Sequence, residues 1–149
     1  MRALGLELGY YPIDDWKKAL TVDMVLETHA DLFQLYAAAL VDPQKTDEQK
    51  AQVFQDSTGE TGLATKLMKL IDTSLSKNGG GKFLTGDELT IADFALISLF
   101  FNIFLNESGP FSPIFTAWLK PTFPRVEAYA QALGEAQSKH LKSRGKAIF

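Results

Sequence analysis

The chain has 149 residues, of which 46% are hydrophobic and 22% charged, and its net charge is −3. A domain of this length buries roughly two-thirds of its unfolded surface, so the composition predicts a packed core and excludes general disorder. The sequence contains no cysteine, which excludes disulfides, thiolate metal sites and a cysteine nucleophile. A slightly acidic chain without a concentrated basic face is not typical of nucleic-acid binding.

The sequence also gives no indication of a membrane protein. Its beginning shows no basic segment followed by an apolar one, as a signal peptide would. The longest apolar run, residues 91–105, is shorter than the roughly 20 residues that span a bilayer. We therefore expect a cytoplasmic protein that binds neither membranes nor nucleic acid.

The first third of the chain predicts a short helix and then a long one. Residues 1–9 form the short helix, which ends at Tyr10-Tyr11-Pro12 because proline disfavours helical geometry in the preceding residue. The long helix covers residues 14–41, and its two N-terminal aspartates suit a helix start. Its first apolar residues recur at helical spacing: Trp16, Leu20, Met24 and Val25. After residue 32 nearly every side chain is apolar, so this helix should be covered on two faces.

The remainder also predicts helices throughout. A polar helix begins near Asp47, is kinked at 57–59, and continues as an amphipathic stripe to the glycine run at 79–81. Residues 91–105 predict a helix that is apolar on nearly every side and therefore central. Helices over 112–120 and from 124 to Gly134 follow. Because no strand pattern occurs, we predict an all-α bundle of five to six helices.

A reciprocal capping box begins the central helix. The Thr90 hydroxyl can accept the backbone N–H of Asp93, while the Asp93 carboxylate accepts the N–H of Thr90. Leu89 and Phe94 stand where a hydrophobic staple would close over this box. Four neighbouring residues therefore fix how the chain enters the helix.

Residue types that carry chemistry are few. Glu27 and Asp31 lie four residues apart on one helix face, which suits either a cation site or a solvated acidic strip. His29 and His140 have no partner pattern, and no metal-ligand spacing is present, so no metal is expected. The glycine run before Lys82 departs from a phosphate loop, because Ser76 stands in place of its first glycine.

Two larger groups of side chains have a structural and a functional interpretation. Aromatic residues could line an apolar pocket, although helical spacing is more typical of a core: Phe94, Phe100, Phe101, Phe104, Phe111, Phe115, Trp118 and Phe123. The basic tail is more typical of a solvated chain end than of a binding arm: Lys139, Lys142, Arg144 and Lys146.

These residues together resemble a known family. Residues 81–94, with their turn, capping box and staple in order, closely resemble the entry to the sixth helix of the cytosolic glutathione S-transferases. Residues 2–12 resemble the end of the third helix and the interdomain linker of that family. Residues 22–32 resemble the fourth helix and residues 123–126 the start of the eighth. The resemblance covers essentially the whole chain and favours the sigma, pi and alpha classes.

The resemblance implies a division of the chain and a set of site residues. Residues 1–12 would be the third-helix end and linker, and residues 13–149 the C-terminal helical domain. Asp31 matches the acidic residue that contacts the γ-glutamyl amine of glutathione across the dimer. Phe33, Gln34 and Ala37 are implied contacts of a small hydrophobic electrophile. These roles belong to an enzyme that takes glutathione as co-substrate and needs no cofactor.

The resemblance also assigns the subunit interface and the catalytic half. Arg2 matches a third-helix arginine near the dimer interface of a homodimer, and Glu27 is assigned to the same interface. Ala30 replaces one acid of a metal-sensitive patch known in some sigma-class members, so no metal role is expected. The catalytic tyrosine or serine of the family belongs to a thioredoxin-like domain that would precede Met1. We therefore expect no catalytic residue in this chain and little activity from it alone.

Two hypotheses remain open at this point. The chain could be the electrophile-pocket and dimer-interface domain of a glutathione S-transferase. It could instead be a non-catalytic interaction module, of the kind that helical domains of this type form in translation-factor and synthetase complexes. If the first hypothesis holds, the surface facing the other domain should be apolar and promote self-association.

Overall fold

The structure, a computed structural model, describes residues 2–106, 109 and 112–143, apart from the side chain of residue 140. All regular secondary structure in these residues is helical, which confirms the all-α prediction. The helices are α1 (Arg2–Glu7), α2 (Trp16–Val41), α3 (Asp47–Thr58), α4 (Leu63–Lys77), α5 (Ile91–Leu99), α6 (Ser112–Thr122), α7 (Pro124–Ala136) and α8 (Ser138–Ser143). Between α4 and α5, an isolated bridge between Phe83 and Gly86 closes a tight turn.

Helix α5 lies at the centre of the bundle, as its sequence predicts. It packs against α2 on one side and α7 on another. Seven of its nine residues are buried, which leaves only Phe94 and Ser98 partly exposed. A helix without a polar face has this position because burial on all sides removes the most apolar surface from water.

The predicted helix over 91–105 differs from the observed structure in its last part. After Leu99 the chain continues as a π-helical segment, Phe100–Phe104. The segment ends where the N–H of Leu105 donates to the Phe100 carbonyl at 2.7 Å. The wider turn buries Phe100, Ile103 and Phe104 together, and a π-bulge has no recognisable sequence signal.

The capping box at the start of α5 is confirmed, and it belongs to a larger network. Thr90 and Asp93 form the reciprocal box, with the Thr90 N–H and hydroxyl both 2.7 Å from Asp93 Oδ2. The other carboxylate oxygen, Oδ1, accepts the Leu84 N–H at 3.0 Å and the Tyr129 hydroxyl at 2.6 Å. Asp93 is fully buried, so four donors replace the water that its carboxylate loses.

The structure bears on only part of the predicted hydrophobic staple between Leu89 and Phe94. Leu89 and Phe94 both pack against the core. The Phe94 ring meets the Tyr10 ring edge-on, with centroids 5.0 Å apart. A direct contact between Leu89 and Phe94 stays a prediction. Tyr10 also ties the linker to α5, because its carbonyl accepts the Ile91 N–H at 2.9 Å.

The predicted kink at 57–59 is wrong, because α3 and α4 are separate helices. A turn over residues 59–62 divides them, and the Gly62 N–H donates to the Gly59 carbonyl at 3.0 Å. A Cβ on Gly62 would lie 2.1 Å from the Ser57 carbonyl oxygen, so the turn requires glycine there. Gly59 and Gly62, three positions apart, are the sequence signal for a turn here, and the prediction gave them too little weight.

Helix α7 also extends further than predicted. Gly134 lies inside α7, which continues to Ala136. A Cβ at this glycine would meet the Phe101 ring at 2.8 Å, so the residue allows a close approach rather than ending the helix. The residues that recur at helical spacing on the inner side of α7 are all buried: Val126, Tyr129, Ala130 and Leu133.

The aromatic group mainly forms core, as the structural interpretation predicts. Phe104 and Phe115 are both fully buried and stack with centroids 4.1 Å apart. Tyr36 joins them, and its hydroxyl lies 2.6 Å from the Ser57 hydroxyl. Burial raises the pKa of Tyr36.

Three residues of the aromatic group and the basic tail discussed above lie outside the described residues: Phe111, Arg144 and Lys146.

Candidate functional site

A groove of about 810 Å³ runs along one side of α2, between α1 and α5. Most of its lining side chains are apolar, and four are polar: Arg2, Glu27, His29 and Gln34. The lining residues are Arg2, Ala3, Leu26, Glu27, His29, Ala30, Phe33, Gln34, Ala37 and Ala95. An apolar concavity of this size with a few polar groups suits a small organic molecule.

The groove brings together most of the residues implied by the resemblance. Phe33, Gln34 and Ala37 line it together with Arg2 and Glu27. They share the groove because they recur at intervals of three and four on α2, with Arg2 supplied by α1. Phe33 is 44% exposed, so much of its ring is available to a ligand or another protein surface.

Asp31 is placed differently from the other five residues. It does not line the groove. It is exposed on α2, and it shares a helix face with Glu27 and Leu35. Among the residues that the structure describes, none forms an ion pair with Asp31. Its carboxylate is therefore open to solvent.

Arg2 holds α1 against α2 through two carboxylates. Its guanidinium donates to Asp23 at 2.7 Å and to Glu27 at 2.7 Å, and these bonds raise the pKa of Arg2. The Tyr11 hydroxyl donates to the second oxygen of Asp23 at 3.0 Å. Burial is the main cause of the raised pKa of Tyr11, with a further contribution from Asp23. This cluster therefore holds Arg2 and Glu27 in the groove lining.

The Arg2 cluster also gives Glu27 an ion-pair partner on its own chain. One carboxylate of the acidic pair formed by Glu27 and Asp31 is therefore partly neutralised. Within the described residues, no group of three or more potential metal ligands occurs. The choice between a cation site and a solvated acidic strip stays a prediction.

His29 is a groove residue that sequence reasoning did not select. Its ring stacks on Phe33, with centroids 6.0 Å apart and an angle of 22° between the planes. Burial lowers the pKa of His29, although the backbone of Ala95 acts in the opposite direction. Its Nε2 is buried and has no hydrogen-bond partner among the described residues. The four-residue interval between His29 and Phe33 is the only sequence signal that could have found this contact.

Many large apolar side chains of α1, the following loop and the first half of α2 are exposed. We call these residues the outer face: Leu4, Leu6, Leu8, Tyr10, Ile13, Trp16, Leu20 and Met24. Of the four α2 residues expected to recur at helical spacing, only Val25 is buried, and Trp16 is 69% exposed. Exposed apolar surface of this kind is typical of a protein contact.

The fold and the groove define an all-helical domain with an apolar side groove and an apolar outer face. A profile of the family described as glutathione S-transferase, C-terminal domain, matches residues 30–142. The chain belongs to this family. The comparison with solved structures gives no match.

The family match bears on the two hypotheses drawn from the sequence. It supports a glutathione S-transferase-like protein, and it gives no support to a translation-factor or synthetase module. None of the described helices combines the length and the apolar composition that a bilayer-spanning segment requires.

Proposed function

We propose that this chain supplies the electrophile groove and part of the subunit interface of a glutathione S-transferase. The observation that carries this proposal is that Phe33, Gln34 and Ala37, which lie within the family match, line one apolar groove. In this proposal the groove holds a small hydrophobic electrophile against the thiolate of glutathione. The protein acts in the cytoplasm as a homodimer.

The chemistry of conjugation divides the work between two domains. The glutathione thiolate is the nucleophile, so a donor must lie beside the sulfur to lower the pKa of the thiol. In the proposal, a thioredoxin-like domain supplies that donor and most of the glutathione site. The groove of this chain supplies orientation and excludes water from the electrophile.

Asp31 is proposed to bind the γ-glutamyl amine of glutathione held by the partner subunit. Its exposure and the lack of an ion pair among the described residues support this role, because an unpaired carboxylate can accept from an ammonium. Glu27 and Arg2 are proposed to lie at the same interface. Their mutual ion pair keeps α1 in place against α2, and both helices carry residues of the outer face.

The first experiment fills the groove. Ala37 is half-buried in the groove wall, whereas Ala38 is exposed on the same helix and does not line the groove. We expect Ala37→Phe to abolish binding of an aromatic halide electrophile, measured by ligand-observed NMR, and Ala38→Phe to leave binding unchanged. Equal binding by both variants would show that the electrophile lies elsewhere.

The second experiment concerns turnover. Glutathione and an aromatic halide are mixed with this chain alone and then with this chain plus a separately produced thioredoxin-like domain of the same family. We expect the rate with the chain alone to equal the uncatalysed rate. Turnover by the chain alone would place a catalytic group within it and overturn the proposed division of work.

A further inference from the structure

A second groove of about 800 Å³ lies on another side of the molecule. It is bounded by the beginning of α2, the end of α4 and the turn before α5. Its lining residues are Asp15, Lys17, Lys18, Thr21, Leu70, Thr73, Ser74, Lys77, Asn78, Gly79, Leu84, Thr85, Gly86 and Asp87. None of them lines the electrophile groove, and the proposed conjugation does not use them.

The charges of this groove differ in sign from those of the chain as a whole. Three lysines, Lys17, Lys18 and Lys77, line it together with two carboxylates, Asp15 and Asp87, whereas the whole chain has a net charge of −3. Within the described residues, none of the three lysines forms an ion pair. The lining therefore has a net charge of +1, and one of its lysines, Lys17, places its ammonium over the Trp16 ring, 5.7 Å from the centroid.

One of the two carboxylates, Asp15, already accepts hydrogen bonds from the backbone of α2. Oδ1 of Asp15 accepts the backbone N–H groups of Lys17 and Lys18, each at 3.1 Å, and so caps α2. Asp87 is exposed at the far end of the turn. The Lys18 side chain reaches across the groove, with Nζ 4.0 Å from the position that a Cβ on Gly86 would take. Its ammonium therefore lies between α2 and the turn.

Neutral polar residues and two leucines make up the rest of the groove lining. Thr85, whose side chain carries a hydroxyl, lines the groove. Gly79, where φ is +74°, follows α4, and the amide oxygen of Asn78 accepts the Gly80 N–H at 3.0 Å, which holds this turn open. Leu84, which is buried, and Leu70, which is half-buried, supply the apolar contribution.

We propose that this second groove binds a small phosphorylated organic molecule. Lysine ammonium groups bind phosphate as point charges, and hydroxyl groups add hydrogen bonds to its oxygens. The two leucines would contact the apolar part of the same ligand, and the volume suits a small organic molecule. This proposal is independent of conjugation, because the two grooves share no residue.

The test uses three probes on the intact chain by isothermal titration calorimetry: phenyl phosphate, inorganic phosphate and phenol. We expect saturable binding with phenyl phosphate, weaker binding with inorganic phosphate, and none with phenol. The affinity for phenyl phosphate should fall as salt is added. Absence of saturable phenyl phosphate binding, or equal binding of phenol, would overturn the proposal.

Two charge-matched double variants locate the site. Lys18→Gln with Lys77→Gln removes two groove lysines, and we expect phenyl phosphate binding to weaken about tenfold or more. Lys50→Gln with Lys120→Gln removes two lysines that do not line the groove, and binding should be unchanged. Equal loss in both double variants would mean that only the net charge matters. Circular dichroism checks that all variants remain folded.

Discussion

The entry to α5 and the outer face differ in whether their side chains find partners within the chain. At the entry to α5, a buried carboxylate is satisfied entirely by groups of its own chain, including Thr90 and Tyr129. On the outer face, Trp16, Leu20 and Met24 are apolar yet exposed. The first region is complete in one chain, whereas the second has the composition of an interface. Stability should therefore depend on the first region and association on the second.

The largest effect is expected from Asp93→Ala. The substitution leaves the donors of Leu84, Thr90 and Tyr129 unpaired inside the protein, and each such donor costs about 1–3 kcal/mol. We expect a loss of about 3–5 kcal/mol in the free energy of unfolding, measured by urea denaturation. Tyr129→Phe is the matched control, since it removes one donor and leaves the capping box, and it should cost about 1 kcal/mol. A loss for Asp93→Ala no larger than that of the control would contradict the network.

A smaller effect is expected where the two regions meet, at Gly5. This glycine is buried, and a Cβ there would lie 2.7 Å from Ile91 Cγ2. Gly5→Ala should displace α1 from α5 and lower the free energy of unfolding by about 1–3 kcal/mol.

A double-mutant cycle with Ile91→Ala separates this contact from a change in helix propensity. If the close approach is the cause, Gly5→Ala should cost less once Ile91 is shortened. Equal costs in both backgrounds would mean that packing against Ile91 does not limit the position of α1.

The electrophile groove should give a pH dependence through His29. Burial lowers its pKa below the ordinary value of 6.5, so the unfolded chain binds the proton more tightly than the folded one. Its contribution to stability is thus complete above about pH 6.5 and is lost as the pH falls below that value. Arg2 and Glu27 line the same groove but are paired with each other.

The measurement compares the melting temperature of the parent chain and of His29→Leu between about pH 5 and pH 8. Leucine fills the groove wall and cannot titrate, so the decrease in melting temperature towards acid pH should be smaller in the variant. Above about pH 7 the slopes of the two proteins should coincide. Identical slopes over the whole range would mean that His29 is not shielded from water when the chain is folded.

The sequence predicts those features that depend on residues close together in the chain. Thr90 and Asp93 are three positions apart, so the capping box could be identified, and the apolar composition of α5 placed that helix at the centre. The bond from Tyr129 to Asp93 joins residues 36 positions apart, and no local pattern indicates it. The division between α3 and α4 differs from the prediction although its signal is local, because the prediction interprets the glycine at 59 as part of a kink and does not weigh Gly62 as a turn residue.

The candidate site could be predicted to a similar extent. Phe33, Gln34 and Ala37 lie on one side of a single helix, so their shared groove follows from helical spacing. The ion pair of Arg2 with Asp23 spans 21 positions, and the roles of Asp31 and the outer face depend on contacts beyond this chain. Those contacts could only be inferred from the family resemblance.

The smallest effect on stability, and the largest on association, is expected on the outer face. Trp16 and Leu20 are 69% and 51% exposed, so replacing both with serine removes little buried surface. The free energy of unfolding should change by no more than about 0.5 kcal/mol. Sedimentation velocity and binding of an apolar dye should both show less association than in the parent chain, because exposed apolar surface is removed.

A substitution at a buried position in another part of the molecule serves as the control for this prediction. Leu119→Ser, at a buried position of α6, should instead destabilise the chain by about 2–4 kcal/mol and increase dye binding through partial unfolding. The two substitutions then change stability and association in opposite patterns. A parent chain that is monomeric and does not bind dye would mean that the outer face is not an interface, and the proposed contact with a second domain or subunit would lose its structural support.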